Sequence, residues 1–300
     1  MLNRIRRTLS TVERSTLASS THDLGTSGMP APAFDSLAVE VDGTIGRLWL
    51  DRPDALNPLS TATLQELVVA ARWFDAQGSI RVVVIGGRGR AFCAGADVAS
   101  FARPGSGERA SDDPPPVRDA GDAGRRMADA IEEMEAVTIA RLHGHCVGGG
   151  VVLAAACDLR VAAVDTNFSI PEVDLGIPLA WGGIPRLVRE IGPAATKELV
   201  MTCRPFTAGE ARDLGLVNRV TPADGLDAEV DALARQLAAK ATFPLRATKR
   251  HVDAVTSAMV GLDRSWSDAD SLLTALHDPE SRAAAARYLA GLRRRRAPDA

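Results

Sequence analysis

Lysine is nearly missing from this chain of 300 residues. It occurs only at Lys197, Lys240 and Lys249, and arginine carries the rest of the positive charge. The formal net charge is -3, so no basic field steers the protein toward nucleic acid. Aromatic residues make up 4%, too few to build stacking platforms for single strands. Cysteine is sparse as well. Cys93, Cys146, Cys157 and Cys203 show neither a C-x-x-C pair nor zinc-ligand spacing, so free thiols in a reducing compartment and no metal site are expected. No apolar run is long enough to span a bilayer. The expectation is a cytoplasmic protein. Its wealth of alanine and arginine reads as GC-rich coding, and so as a bacterial source. What is present, 46% hydrophobic residues against 24% charged, suffices for a sizeable core.

Three regions differ in character. Residues 1–35 are rich in Arg, Ser, Thr, Gly and Pro, with Glu13 as the one acid before Thr16. They read as a disordered extension, or as a leader for organellar import. From 36 to 220, strand and helix signals alternate. Asp42-Gly43 between two apolar runs predicts a hairpin. Ser60 caps a helix with Leu64, Leu67, Val68 and Ala71 on its apolar face, ended by Gly78. Val82-Val83-Val84-Ile85 reads as a buried strand, Thr138–Leu142 and Leu159–Ala163 as two more. Helices are expected over Arg118–Glu135 and Val151–Cys157. The Gly-, Ser-, Asp- and Pro-rich stretch 102–117 reads as a surface loop. From 221 to 300 the pattern is helical, over Asp227–Ala239, Thr248–Leu262 and Pro279–Arg296. Before it, Thr207-Ala208-Gly209-Glu210 has the form of a capping box.

Two stretches carry the chemistry: Ala91-Phe92-Cys93-Ala94-Gly95-Ala96-Asp97 and Gly144-His145-Cys146-Val147-Gly148-Gly149-Gly150. Each puts glycines and small residues where a strand gives way to a helix. The first N–H groups of a helix have no internal partner and can turn to a ligand oxygen. Two such loops in one domain suggest a paired-donor hole for an oxyanion.

In these blocks the chain resembles the crotonase (enoyl-CoA hydratase/isomerase) superfamily over roughly residues 37–297. Further markers are Asp51-Arg52-Pro53-Asp54-Ala55-Leu56-Asn57, Ala154-Ala155-Ala156-Cys157-Asp158-Leu159-Arg160, and Pro171-Glu172-Val173-Asp174-Leu175-Gly176-Ile177. Gly182-Gly183-Ile184-Pro185-Arg186-Leu187, Ala211–Asn218 and Lys249 complete the set. The resemblance implies an α/β fold: a crotonase-like spiral of ββα units followed by a helical trimerisation region. It implies an acyl-CoA thioester as substrate, a homo-trimer or hexamer, and no metal or redox cofactor, coenzyme A being part of the substrate.

The same resemblance assigns roles. Ala94 and Gly149 match the two backbone donors of the oxyanion hole, and Glu172 matches the acid/base glutamate. Val152 stands where two-glutamate hydratases carry their second glutamate, and Ala180 stands where dienoyl isomerases carry an aspartate. One glutamate alone fits a shift of 3-enoyl-CoA to 2-enoyl-CoA. Hydration of 2-enoyl-CoA with an unrecognised second acid, and a non-catalytic acyl-CoA binder, are the alternatives. Backbone groups around Ala55, Ala94 and Ala96 are expected to hold the adenine and pantetheine of CoA, Gly148 to contact the substrate, and Asp97 to line the site or cap the following helix. Trp181, Leu179 and Phe101 read as an acyl pocket or as core. Asp174 stands two residues from Glu172, where it could assist, and His145 sits near the second loop, where a structural role is expected. Asp54 replaces a family lysine at the CoA phosphates, which leaves Lys249 and the Arg293-Arg294-Arg295-Arg296 run as candidate cations; that run reads equally as a solvated helix end.

Overall fold

The computed structural model describes residues 29–97, 117–265 and 267–296. Ala31–Ala300 form one unit and Met1–Pro30 another, of which only Met29 and Pro30 are described. Most of residues 1–35, Phe101 and nearly all of the 102–117 stretch therefore lie outside the described residues, as do the side chains of Arg293, Arg295 and Arg296. Before Leu37 the chain is already tied down: Asp35 and Ser36 donate their N–H groups to the Glu66 carboxylate at 2.9 and 3.0 Å.

The hairpin forms as expected. β1 (Leu37–Asp42) pairs antiparallel with β2 (Ile45–Leu50), with Gly43 at φ 58° in the turn. α1 (Thr61–Ala76) starts at Ser60, whose hydroxyl accepts the Thr63 N–H at 3.1 Å, and Gly78 follows it at φ 64°. β3 (Val82–Gly87), β4 (Val137–Leu142), β6 (Leu159–Ala163) and β9 (Arg219–Thr221) join β1 and β2 in a six-stranded sheet of order β1-β2-β3-β4-β6-β9. All its pairs after the first are parallel.

A second sheet, β5-β7-β8, is built from short strands: β5 (His145–Val147), β7 (Asn167–Ser169) and β8 (Phe206–Thr207). Its presence explains the spiral. β4 runs on to β5 and then α3 (Gly149–Ala155). β6 runs on to β7 and then α4 (Gly183–Thr202). Each turn puts a long strand in the first sheet, a short one in the second, and a helix after them.

Parallel sheets are stable when both faces are covered, and here they are. Val83 and Ile85 face a core with Leu48, Leu64, Leu67, Phe74 and Met127, while Val82 and Val84 face Ile45, Ile139, Val161, Leu226, Val230 and Leu233. The all-apolar run Val82–Ile85 is thus one strand serving two cores. Burial of each such side chain is worth roughly 1.5–3 kcal/mol. The second core needs α6 (Leu226–Ala238), which lies past the expected boundary at 220. That boundary falls inside β9, and the sheet layer extends through Ala238.

The remaining helices are α2 (Val117–Glu132), α5 (Ala208–Asp213), α7 (Thr242–Met259), α8 (Asp268–His277) and α9 (Pro279–Arg296). Among the described residues no helix is long and apolar enough to cross a membrane.

Candidate active site

Strands β5 and β7 lie side by side, with Val147 opposite Ser169. The pairing continues one step, as Gly148 donates its N–H to the Ser169 carbonyl at 2.9 Å. The chain after each strand is thereby delivered to one place. After β7, Pro171 opens a turn closed by Leu175 N–H to Pro171 O at 3.0 Å and Ile177 N–H to Glu172 O at 2.9 Å. Gly176, at φ 69°, completes it. A methyl group there would overlap the Ser281 carbonyl, so the first turn of α9 sits directly behind this loop.

The turn throws Glu172 across Gly148. A methyl on Gly148 would overlap Oε1, and Gly148 is at φ 50°, a conformation that favours glycine. Glu172 is 8% exposed, and its Oε2 has no hydrogen-bond partner among the described residues. Burial disfavours the ionised form and pushes the carboxyl up to about 7, although its own backbone N–H pulls the other way. A buried carboxyl with a free oxygen and a pKa near neutrality can take and return a proton.

Apolar side chains pack around α3. Val152 is fully buried one turn into α3. A methyl on Gly183 would lie 2.9 Å from Val152 Cγ2 and 2.9 Å from Leu179 Cγ. Trp181 is 7% exposed, and its ring edge rests on Gly149. Asp174 is exposed to solvent and His145 is exposed on β5, so neither joins Glu172.

The donor loops change one expectation. Phe92 and Cys93 pair with His143 and His145, and Val147 donates back to Cys93 O at 3.0 Å. Gly95 comes so close that a methyl would lie 2.9 Å from Val147 O, so the two glycine loops run together. The Ala94 N–H, however, donates to Leu56 O at 2.9 Å. It is engaged in the fold and is not a donor to a ligand. On the other side of Gly95, Leu59 takes Gly95 O at 2.8 Å and accepts the Asp97 N–H at 3.0 Å. Neighbouring groups on an extended chain alternate in direction, so the Ala96 N–H faces away from Leu59 and has no acceptor among the described residues. Gly149 opens α3, so its N–H also lacks an internal partner. The available pair is Ala96 and Gly149.

Lys249 is corrected as well. Its ammonium lies 2.8 Å from Asp158 Oδ2 and 3.1 Å from Ala136 O, and the side chain is 7% exposed. It ties α7 to the sheet and is not a free cation for a phosphate. Asp97 meets Arg52 Nη1 at 3.3 Å, and the helix it was expected to cap lies outside the described residues. Ala55 is exposed in the short turn Pro53–Ala55.

Two supporting side chains stand among the sequence markers without an assigned role. Asn57, 1% exposed, accepts the Arg52 N–H at 2.9 Å and donates to Arg88 O and Ala91 O, each at 2.9 Å. It ties its own turn to the Arg88–Ala91 segment that leads into the first donor loop. Its signal was an asparagine after a proline turn, a residue that tolerates positive φ; here φ is 54°. Arg186, 2% exposed, reaches Asp129 at 2.9 Å and Glu132 at 2.6 Å and donates to Trp181 O at 3.3 Å. It holds the turn that presents Trp181.

A family model described as enoyl-CoA hydratase/isomerase matches residues 40–291. A crotonyl-CoA hydratase of Syntrophomonas wolfei is 34% identical over 218 residues, 72% of this chain and 81% of the relative. A peroxisomal Delta(3,5)-Delta(2,4)-dienoyl-CoA isomerase of Arabidopsis thaliana is 34% identical over 213 residues, 69% of this chain and 77% of its own. Among solved structures, an enoyl-CoA hydratase of Mycobacterium avium subsp. paratuberculosis superposes with a TM-score of 0.75 at 25% identity, covering 86% of this chain and 100% of that one. With its two-sheet spiral, its apposed glycine loops and these matches, the chain belongs to the enoyl-CoA hydratase/isomerase family, the crotonase superfamily.

Proposed function

We propose that the protein shifts the double bond of a 3-enoyl-CoA to give the 2-enoyl-CoA, with Glu172 as its sole acid/base. The reading is carried by a buried carboxyl whose Oε2 has no hydrogen-bond partner among the described residues, together with buried Val152 at the position where the resemblance sets a second glutamate. Glu172 takes a proton from C2. The electron pair moves through the thioester to its oxygen, where the Ala96 and Gly149 N–H groups meet the developing charge. These donors stabilise the dienolate more than the ground state. The same carboxyl then returns the proton at C4, and the double bond comes to rest between C2 and C3. The scheme needs no metal or redox cofactor.

Hydration of 2-enoyl-CoA is the second reading, favoured by relatives that carry hydratase names. It needs a water held at C3 and an acid besides Glu172. Supplying each substrate and following both products separates the two. Isomerisation without hydration is expected, and E172Q should slow it by about 10²–10⁴. Robust hydration with no isomerisation would sink the preferred reading, and no turnover of either substrate would leave an acyl-CoA binder.

The protein also acts as a homo-oligomer, a trimer or a dimer of trimers, on this reading. In support, α7 has no buried residue, and Val252, Val255 and Met259 form an exposed apolar stripe at i, i+3 and i+7.

A further inference from the structure

We infer that Cys93 is a positioning residue for the oxyanion hole, its sulfur holding the Ala96 and Gly149 donors in their working orientation and spacing. This rests on the acyl-CoA reading above. Cys93 is fully buried. Burial pushes its thiol up to about 12, so it stays neutral and takes no part in proton transfer. Its backbone is built into the joint between the two donor loops. The Cys93 N–H donates to His145 O and its carbonyl accepts from Val147, each at 3.0 Å. Its side chain reaches both donor segments.

Toward the first donor, Sγ accepts the Gly95 N–H at 3.4 Å. A side-chain acceptor two residues before its donor closes the kind of turn that Ser and Asp also close. Gly95, at φ 92°, lets the chain fold over the sulfur. Beyond that turn the Gly95 carbonyl accepts from Leu59 at 2.8 Å. The carbonyl and N–H of one trans peptide point opposite ways, so this bond aims the Ala96 N–H away from Leu59. The sulfur and Leu59 thus pin the peptide planes on either side of Gly95. Toward the second donor, a methyl on Gly150 would lie 2.8 Å from Cys93 Cβ and 3.0 Å from Sγ. Gly150 follows Gly149 in α3, so the start of that helix rests on the same thiol.

The test reads the donors without turnover. Carbonyl-labelled butanoyl-CoA and dodecanoyl-CoA are saturated, and a paired oxyanion hole lowers the infrared stretch of their bound thioester carbonyl. Cys93→Ala removes the acceptor and Cys93→Ser keeps one. An amide-to-ester replacement at Gly95 deletes the N–H and leaves the sulfur in place. Thermal melting checks the folding of each. Cys93→Ala and the Gly95 ester should each lose about half or more of the wild-type downshift, and Cys93→Ser should keep most of it. In the isomerisation assay Cys93→Ala should lower kcat about 10-fold at unchanged KM. A full downshift in Cys93→Ala or in the Gly95 ester would overturn the inference, the sulfur then only filling space. So would equal losses in Cys93→Ser and Cys93→Ala. If Cys93→Ala does not fold, the Gly95 ester decides. If wild type lowers the stretch of neither thioester, it is the acyl-CoA reading that fails, and the two failures are thereby told apart.

Discussion

Glu172 is an acid whose position works against its own charge. The unfolded carboxyl ionises near 4.5 and the folded one near about 7. Between those values the native state keeps a proton that the unfolded chain has lost, so stability falls as pH rises through the window and stays lower above it. At 1.36 kcal/mol per unit the penalty is about 3 kcal/mol. Glu172→Gln removes it. The variant should melt above wild type at pH 8 and level with it at pH 4, and a difference independent of pH would contradict the burial argument. The same variant should lose about 10²–10⁴ in rate. For wild type, kcat/KM should decline as pH drops below about 7, where the base is protonated. Val152 belongs to the same scale. Its identity was plain in the sequence, and its meaning came from standing where a second glutamate would.

At the scale of elements, the two donor loops show how far sequence reading reaches. Their glycines, their place after strands and their pairing were legible. Which peptide N–H is available was not, because that depends on partners distant in the chain: Leu56 takes the Ala94 group and Leu59 fixes the alternation around Ala96. An amide-to-ester replacement, which deletes one N–H and leaves the side chain alone, tests this. At Ala96 it should cost about 10²–10³ in kcat with little change in Tm. At Ala94 it should lower Tm and leave kcat nearly unchanged. The reverse pattern would restore Ala94 as the donor. The same contrast runs through the fold. Ser60, Asp42-Gly43 and Val82–Ile85 announced their elements by local capping, turn and burial signals. The three-residue strands β5 and β7 are too short for any period. Within α4, Gly192 at φ 73° followed by Pro193 reads as a breaker, although the helix resumes beyond it. Thr207 caps α5 through the Glu210 N–H at 3.2 Å, yet Glu210 turns to Arg204 and leaves the capping box half made.

For the whole molecule, α7 poses the question of assembly. A helix with an apolar stripe and no buried residue is stable when something covers it. Light scattering should give a mass of three or six chains. Val255→Asp together with Met259→Asp should lower that mass, while a wild-type monomer at micromolar concentration would end the proposal. Regions 36–220 and 221–300 differ in composition, but the sheet ignores that border because its second face needs α6. The seat of Gly176 against Ser281 adds a consequence in time. The loop that aims Glu172 leaves the ribosome well before the helix that backs it. A chain interrupted ahead of Pro279 would hold both sheets and still lack the support behind its catalytic turn. On the proposed chemistry, a chain ending ahead of Pro279 should turn the thioester over more slowly than the full chain, and equal rates would show that Ser281 gives the Glu172 turn no support.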